Sequence, residues 1–218
     1  NKNMKVINLL DVLGNSVKEE EQVEGMQAEE EEEEGEEEGP EYDEHVWLSL
    51  KNAKTLCPSI ADALCEIDSK NADVYKKNLN EYTKNLDALD KEYQQAVNGA
   101  KYDTLVFGDR FPFRYMVDDY SLKYYAAFVG CSAETEASFE TIKFLANKVD
   151  ELGITTVLTI EDPKHKIAQT VVENTKEKNQ KILALNSMQS VTSDDVKNGE
   201  TYLNVMQSNL DVLKQALN

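Results

Sequence analysis

Apolar residues recur at helical spacing in the first half of the chain. From Asn71 to Val97 they are separated alternately by four and three residues, and Lys, Asn, Glu and Asp occupy the other faces. This single stripe predicts one amphipathic helix, which at about 1.5 Å per residue would be roughly 37 Å long. The helix is interpreted either as a surface helix whose stripe faces the core or as a strut between two lobes. A preceding helix is predicted to end near Ile67, with Ser49 as its cap.

After Tyr102 the pattern changes to short apolar runs that alternate with helical segments. Strands are predicted over 104–107, 123–129, 155–160 and 181–185. Helices are predicted over 113–119, 137–152, 167–175 and 202–217. This alternation is typical of βαβ units, and strands that are apolar throughout indicate a parallel sheet covered by helices on both faces, an α/β fold.

The ligand end of such a sheet lies beyond the carboxyl ends of its strands. We therefore expect the segments that follow the four strands to surround one crevice. These segments are 108–110, 130–132, 161–163 and 186–189.

The first 45 residues carry a weaker pattern. The apolar run at 5–10 predicts a short buried strand, followed by a turn at Gly14. Residues 19–41 are rich in Glu and almost free of apolar side chains. Like-charge repulsion and the lack of apolar surface predict a solvated, disordered loop there.

Charge is concentrated in that acidic segment. The chain has 218 residues and a formal net charge of −19, yet 16 of its acidic residues lie between Glu19 and Glu44, where there is no Lys or Arg. The rest of the chain is nearly neutral and has enough apolar residues for one sizeable domain or two small ones. A body without a broad basic face is not expected to bind nucleic acid.

The three cysteines do not form a disulfide or zinc-knuckle pattern. Cys57, Cys65 and Cys131 are an odd number without CxxC spacing, and the first two are expected to act as small apolar residues on a helix. No run of about 18 apolar residues of the membrane-spanning kind is present. Because there is no start Met, signal peptide or lipid-attachment Cys near Asn1, we expect the chain to begin within a longer protein.

Two histidines are candidates for metal binding. His45 follows two acidic residues at the end of the acidic segment, and a neutral imidazole is the commonest zinc ligand in proteins. A single loop histidine is more often an ordinary polar surface residue. That interpretation is preferred for His165, which lies between two lysines at a predicted helix start.

The residues around His45 resemble a segment of the zinc/manganese solute-binding family of ABC importers. Residues 43–49 match its pattern D-x-H-x-W-L-S/D-P, in which the His is a metal ligand, although Leu50 replaces the usual Pro. The resemblance continues in order along most of the chain. Residues 75–93 resemble the family's bridging helix. Residues 106–115 (VFGDRFPFRY) resemble its segment V-F-H-D-A-F-x-Y, and residues 120–122 resemble the Y-G-L that follows. Residues 157–161 resemble a strand that leads to an acidic residue, and residues 199–217 resemble the last helix.

The resemblance implies the architecture and the role of the chain. Residues 99–218 would form a C-terminal lobe with a parallel four-stranded sheet, 71–98 a rigid bridging helix, and 1–70, including the loop 19–41, the remnant of a second α/β lobe. Zn²⁺ (alternatively Mn²⁺) would be captured between the lobes for delivery to a membrane permease. The protein would be extracytoplasmic, periplasmic or at the cell surface, anchored by a lipid on a segment that is absent here. The rest of the N-terminal lobe, which the resemblance implies is missing here, would complete the site.

The implied ligands only partly match this sequence. The family's third ligand falls on Gly108, which has no side chain, and its fourth falls on or near Asn186, a weak neutral ligand. The candidate ligands are therefore His45, Asp109, Glu161 and Asn186. Asp109 and Glu161 also suit strand-end capping, and Arg110 and Arg114 could hold them charged without metal. The acidic loop could concentrate cations or act only as a solubilising spacer.

Other functions stay open to different degrees. A surface metal scavenger or adhesin of the same family, or a degenerate paralogue with weak metal binding, is compatible with the sequence. An enzyme on a flavodoxin-like sheet is disfavoured, because neither GxGxxG nor GxxxxGK[ST] is present. Cys131 also has no His near it in sequence to act as its base. We therefore do not expect an enzyme.

Overall fold

A parallel β-sheet forms the centre of the molecule. The computed structural model describes residues 4–27, 41–132, 136–161 and 164–218. The strands are β1 (Thr104–Phe111), β2 (Lys123–Val129), β3 (Thr156–Thr159) and β4 (Lys181–Ala184). Their order is β2-β1-β3-β4, and every neighbouring pair is parallel. The predicted α/β fold with a four-stranded parallel sheet is confirmed.

Eight α-helices surround this sheet in the described residues. They are α1 (Leu9–Leu13), α2 (Leu50–Ile67), α3 (Ala72–Asn98), α4 (Arg114–Asp119), α5 (Phe139–Leu152), α6 (Lys166–Asn174), α7 (Ser193–Lys197) and α8 (Tyr202–Ala216). Most bounds lie within one or two residues of the predictions. Helices α1 and α7 were not predicted, since each is only five residues long.

Two apolar layers explain why the strands are apolar throughout. Val106 and Val157 pack with α5 and α6 on one face of the sheet. Leu105, Phe107 and Leu158 point to the other face, where α3 and α8 contribute their apolar stripes. Successive strand residues therefore alternate between two buried layers, as expected for a sheet covered on both faces.

Strand β1 is longer than predicted because it continues past a bulge. Its register with β2 shifts between Phe107 and Arg110, and pairing then resumes as far as Phe111. Gly108 lies within the bulge, where a Cβ atom would stand 2.4 Å from the Cα of Ala168 in α6. Only glycine allows the strand and the helix to approach this closely.

The long helix α3 uses its stripe in two ways. Leu86, Leu89 and Tyr93 are buried in the same apolar cluster as the sheet and α8. Nearer the start of α3, Tyr75 and Leu79 line an open apolar groove against α2 instead. The predicted cap of α2 is present, because the Ser49 hydroxyl accepts a hydrogen bond from the Asn52 N–H at 2.9 Å.

The predicted strand at 5–10 is wrong. The run leads into helix α1, whose first turn is capped by the Asn8 side chain, and Val6 is 72% exposed. Periodicity does not distinguish a strand from a helix in so short an apolar run, and the capping side chain of Asn8 favours the helix.

The prediction of disorder over 19–41 is wrong for its first part. Glu19 forms an antiparallel bridge with Tyr42, the Glu20 N–H donates to the Glu41 carbonyl at 2.9 Å, and the Asp43 N–H donates to the Lys18 carbonyl at 3.0 Å. Further along, Met26 is buried and the Gln27 N–H donates to the Ala127 carbonyl at 2.9 Å. These backbone bonds and the buried Met26 order residues 19–27. Residues 28–40 lie outside the described residues.

None of the described helices is both long enough and apolar enough to cross a bilayer.

Candidate metal-binding site

His45 is held in one orientation by a buried carboxylate. It lies just before the 3-10 turn Val46–Leu48 that leads to α2, and its side chain is only 1% exposed. Asp43 Oδ1 lies 2.9 Å from His45 Nδ1 and also accepts the His45 backbone N–H at 2.8 Å. Because the Asp43 carboxylate accepts a hydrogen bond from the Nδ1–H group, Nε2 carries the lone pair. The imidazole is thus oriented as a ligand.

The other ring nitrogen faces the segment that follows β4. His45 Nε2 lies 2.5 Å from the side-chain amide nitrogen of Gln189, which donates into its lone pair. The segments after β2 and β4 both contact the ring, since Gly130 approaches its other edge. A Cβ atom at Gly130 would lie 3.0 Å from His45 Cε1 and 3.1 Å from the Phe111 carbonyl oxygen. These contacts are tight, so a side chain here would require its neighbours to shift by a few tenths of an ångström, and glycine avoids that shift.

The segment that carries His45 is fixed at several points. Tyr115 donates to the Asp43 carbonyl at 2.7 Å. Trp47 Nε1 donates to the Ser187 carbonyl at 2.9 Å, and the Tyr202 hydroxyl donates to the Trp47 carbonyl at 2.8 Å. These bonds connect the histidine to α4, to the segment after β4 and to α8.

Asp109 and Glu161 both make strand-end hydrogen bonds. Asp109 Oδ2 accepts the Thr159 hydroxyl and the Ile160 N–H, which ties the bulge of β1 to the end of β3. Glu161 accepts the N–H and the hydroxyl of Ser187, each at 2.7 Å. The structure therefore shows the capping role that the sequence left open as an alternative to metal binding.

Asn186 stabilises its own turn. Its Oδ1 accepts the Met188 N–H at 2.7 Å, and its backbone N–H and carbonyl pair with the buried Asn209 side chain at 2.8 and 2.9 Å. The two arginines do not hold the candidate carboxylates. Arg110 donates to the Ser132 carbonyl at 3.2 Å, and Arg114 pairs with Glu21 and Asp118.

A different set of ligand atoms surrounds the histidine. Within the part of the chain that the structure describes, Glu44, His45 and Cys131 form the group of metal-ligating side chains whose ligand atoms all lie within 4.8 Å of one another. Glu44 and Cys131 were not among the candidate ligands predicted from the sequence. The available signal was their position, since Glu44 precedes His45 and Cys131 lies in one of the segments expected around the crevice.

The surroundings of Cys131 are acidic. Its N–H donates to Glu20 Oε1 at 3.3 Å. Partial burial is the main cause that raises the pKa of the Cys131 thiol. The carboxylates of Glu44 and Glu20 raise it further. Partial burial also raises the pKa of Glu20; the Cys131 N–H offsets this in part, while the charge of Glu41 adds to the increase. The group as a whole offers negative charge to a cation.

The structure is a parallel α/β lobe in which a carboxylate-bound histidine lies beyond the carboxyl ends of the strands, the end where α/β sheets bind ligands. The profile of the family described as zinc-uptake complex component A, periplasmic, matches residues 2–216. The chain belongs to this family, as the sequence resemblance predicted.

Similar proteins agree with that assignment. The zinc-binding lipoprotein AdcA of Streptococcus pneumoniae (strain TIGR4) is 34% identical over 175 residues, which cover 80% of this chain and 34% of AdcA. The crystal structure of the Zn(II)-bound ZnuA-like domain of S. pneumoniae AdcA superposes with a TM-score of 0.65 at 32% identity, over 81% of this chain and 64% of that domain. The laminin-binding protein Lbp of Streptococcus pyogenes superposes with a TM-score of 0.68 at 26% identity, over 81% of this chain and 65% of Lbp. The chain thus spans about a third of the length of AdcA.

Proposed function

We propose that this chain is the metal-capturing part of an extracytoplasmic solute-binding protein that delivers Zn²⁺ to an ABC importer. The observation that carries the proposal is the orientation of His45. Its imidazole is buried, its Nδ1 is bound to Asp43, and its Nε2 lone pair faces the Gln189 amide of the segment after β4. Family membership and the description of AdcA as a zinc-binding lipoprotein support zinc as the cargo.

Capture requires no covalent chemistry from the protein. In the proposal, Zn²⁺ replaces the Gln189 amide at His45 Nε2, while Asp43 keeps the proton on Nδ1 and increases the basicity of the ring. Because the ring is desolvated before the ion arrives, little reorganisation is needed on binding. Release follows when docking on the permease disturbs the surrounding segments.

In the proposal the ion is held between two lobes, and the chain is divided accordingly into three parts. Residues 99–218 form the sheet-bearing lobe, 71–98 the bridging helix, and 1–70, with the acidic loop 19–41, belong to a second lobe. Among the ligand candidates, Asp109, Glu161 and Asn186 remain proposals beside His45. Their hydrogen bonds within the fold make them weaker candidates than the histidine.

Titration calorimetry with Zn²⁺ and Mn²⁺ tests the proposal. We expect the wild-type chain to bind Zn²⁺ and His45→Ala to lose that binding. His165→Ala is the matched control, because it removes the other of the two histidines and should leave the affinity unchanged. Equal zinc affinity in wild type and His45→Ala would contradict the proposal.

A second candidate function is a surface adhesin. It is favoured by the likeness to Lbp, which is described as laminin-binding. Immobilised laminin provides the test, with and without Zn²⁺. Laminin binding by the wild-type chain that His45→Ala leaves unchanged would support an adhesin surface separate from the metal site.

A further inference from the structure

We propose that Cys131 and Glu44 are metal ligands together with His45, and that the Cys131 thiolate makes the site selective for Zn²⁺ over Mn²⁺. The inference rests on the proposed function and names the ligands at that site. It is carried by the convergence of the three side chains, whose ligand atoms all lie within 4.8 Å of one another.

The three ligand atoms are close to the spacing that zinc needs. Zn–S, Zn–N and Zn–O distances of about 2.0–2.3 Å place the ligands of a tetrahedral ion about 3.5 Å apart. The ligand atoms therefore have to approach one another by at most about 1.3 Å, within reach of side-chain rotation at the exposed Glu44 and Cys131. His45 is buried and fixed, so it acts as the rigid member of the set.

The backbone places Cys131 beside the histidine for a specific reason. Gly130 packs against the imidazole, where a Cβ atom would lie only 3.0 Å from Cε1 and 3.2 Å from Nδ1, and this close approach brings the next residue to the ring. The Glu20 carboxylate then holds the Cys131 N–H. Neither contact is needed to continue β2, which ends at Val129.

The other candidate carboxylates are already used within the fold. Asp109 closes the bulge of β1 onto β3, and Glu161 holds the turn at Ser187. Moving either one toward an ion would leave backbone N–H groups without acceptors, at a cost of about 1–3 kcal/mol for each buried donor. Glu44 and Cys131 carry no comparable backbone-capping role.

On binding, the Cys131 thiol loses its proton to solvent and the thiolate sulfur bonds to Zn²⁺ (Cys–SH + Zn²⁺ → Cys–S⁻–Zn²⁺ + H⁺). The positive charge of the ion offsets the negative charge of the surrounding carboxylates, which otherwise opposes loss of the thiol proton. A thiolate is a soft ligand that suits Zn²⁺, whereas Mn²⁺ prefers oxygen ligands. The thiolate therefore sets the selectivity, and the carboxylate alone would not.

Cys131→Ser tests the inference, with Cys57→Ser on α2 as the matched control. Loss of a residue that only orients a metal ligand commonly costs about 10–100-fold in affinity, and loss of a ligand should cost no less, so we expect Cys131→Ser to weaken Zn²⁺ binding at least about tenfold. Mn²⁺ binding should change little, and Cys57→Ser should bind both ions like wild type. Circular dichroism checks that each variant is folded.

Cobalt spectroscopy of the wild-type chain gives a readout of thiolate ligation that does not require a variant. Wild type and Cys57→Ser loaded with Co²⁺ should show the thiolate-to-metal charge-transfer band in the near ultraviolet, and Cys131→Ser should not. Absence of this band in wild type would overturn the inference.

The outcomes separate the two proposals. If His45→Ala abolishes zinc binding while Cys131→Ser binds zinc like wild type, the ligand assignment is wrong and the proposed function stands. If neither substitution changes the affinity, both are wrong.

Discussion

At the scale of single residues, the arrangement around His45 depends on one carboxylate with several partners. Asp43 binds both the imidazole and the backbone N–H of His45, and its own carbonyl accepts the Tyr115 hydroxyl. The side chain is only 2% exposed, and its carboxylate accepts hydrogen bonds from the imidazole and the backbone N–H of His45, as a buried polar group requires. Asp43 and His45 thus act as one unit in which the carboxylate orients the imidazole.

Replacing this carboxylate tests its orienting role. In Asp43→Asn the amide no longer stabilises the proton on Nδ1 as strongly, and the Nε2 lone pair is less available. We expect zinc affinity to fall about 10–100-fold, the usual effect of losing such a partner. Calorimetry measures the change, and an affinity within twofold of wild type would show that the histidine does not need Asp43.

Asp119 provides a pH-dependent prediction away from the metal site. Burial raises its pKa above the ordinary value of 3.8, and the Ser49 hydroxyl and Lys51 offset this in part. The protonated carboxyl therefore favours the folded state. That contribution is complete below pH 3.8 and is lost as the pH rises through the raised pKa.

In Asp119→Asn the side chain is neutral at every pH and keeps an acceptor for Ser49. The free energy of unfolding of this variant relative to wild type should therefore increase from pH 3 towards pH 7. Urea unfolding across this range measures it. A difference that does not change with pH would mean that the Asp119 pKa is the same in the folded and unfolded states.

At the scale of elements, periodicity located most helices and strands because their apolar faces are long. Strand β2 has the predicted bounds, and α3 has the predicted stripe. The bulge in β1 could not be predicted, because it depends on the close approach of Gly108 to a helix 60 residues further along the chain. Helix α1 was missed since its apolar run is short and its cap, Asn8, also suits a turn.

The β1–α6 contact leads to a stability prediction. In Gly108→Ala the new methyl group meets backbone atoms of Ala168, at 2.4 Å from Cα and 2.8 Å from N, so the helix must move. Overpacking of this kind costs about 1–3 kcal/mol, and we expect a loss of that size in chemical unfolding.

Gly99→Ala is the matched control. Its nearest neighbour atom is 3.5 Å away, an ordinary contact, and its backbone is not left-handed. A change within about 0.5 kcal/mol is expected there. Equal effects of the two substitutions would show that the close approach at Gly108 is not important for stability.

At the scale of the whole molecule, one core joins the site to the rest of the fold. Leu48 and Leu50, which follow His45, belong to the same apolar cluster as α3, β1 and α8. The residues that meet at the ring are far apart in sequence: His45 and Gln189 are separated by 144 positions. The local pattern indicated His45 itself, but the neighbours of the ring depend on this long-range packing and could not be read from the sequence.

Because the proposed ligands come together only in the folded chain, zinc should stabilise the whole molecule. At a free Zn²⁺ concentration one hundred times Kd the stabilisation is about 2.7 kcal/mol, which for a chain of this size corresponds to an increase in Tm of about 5–11 °C. Differential scanning calorimetry of the wild-type chain measures it. His45→Ala should show no increase, and an increase equal to that of wild type would place the stabilising ion elsewhere.

The backbone ribbon formed by residues 18–20 and 41–43 has a consequence for how this protein can vary. Its hydrogen bonds hold residue 41 next to the segment that carries the histidine, and the Gln27 N–H bond to the Ala127 carbonyl holds residue 27 against β2. Lengthening a closed segment is cheap, about 0.6 kcal/mol for each doubling. Glutamates between residues 27 and 41 can therefore be gained or lost during evolution without shifting the imidazole.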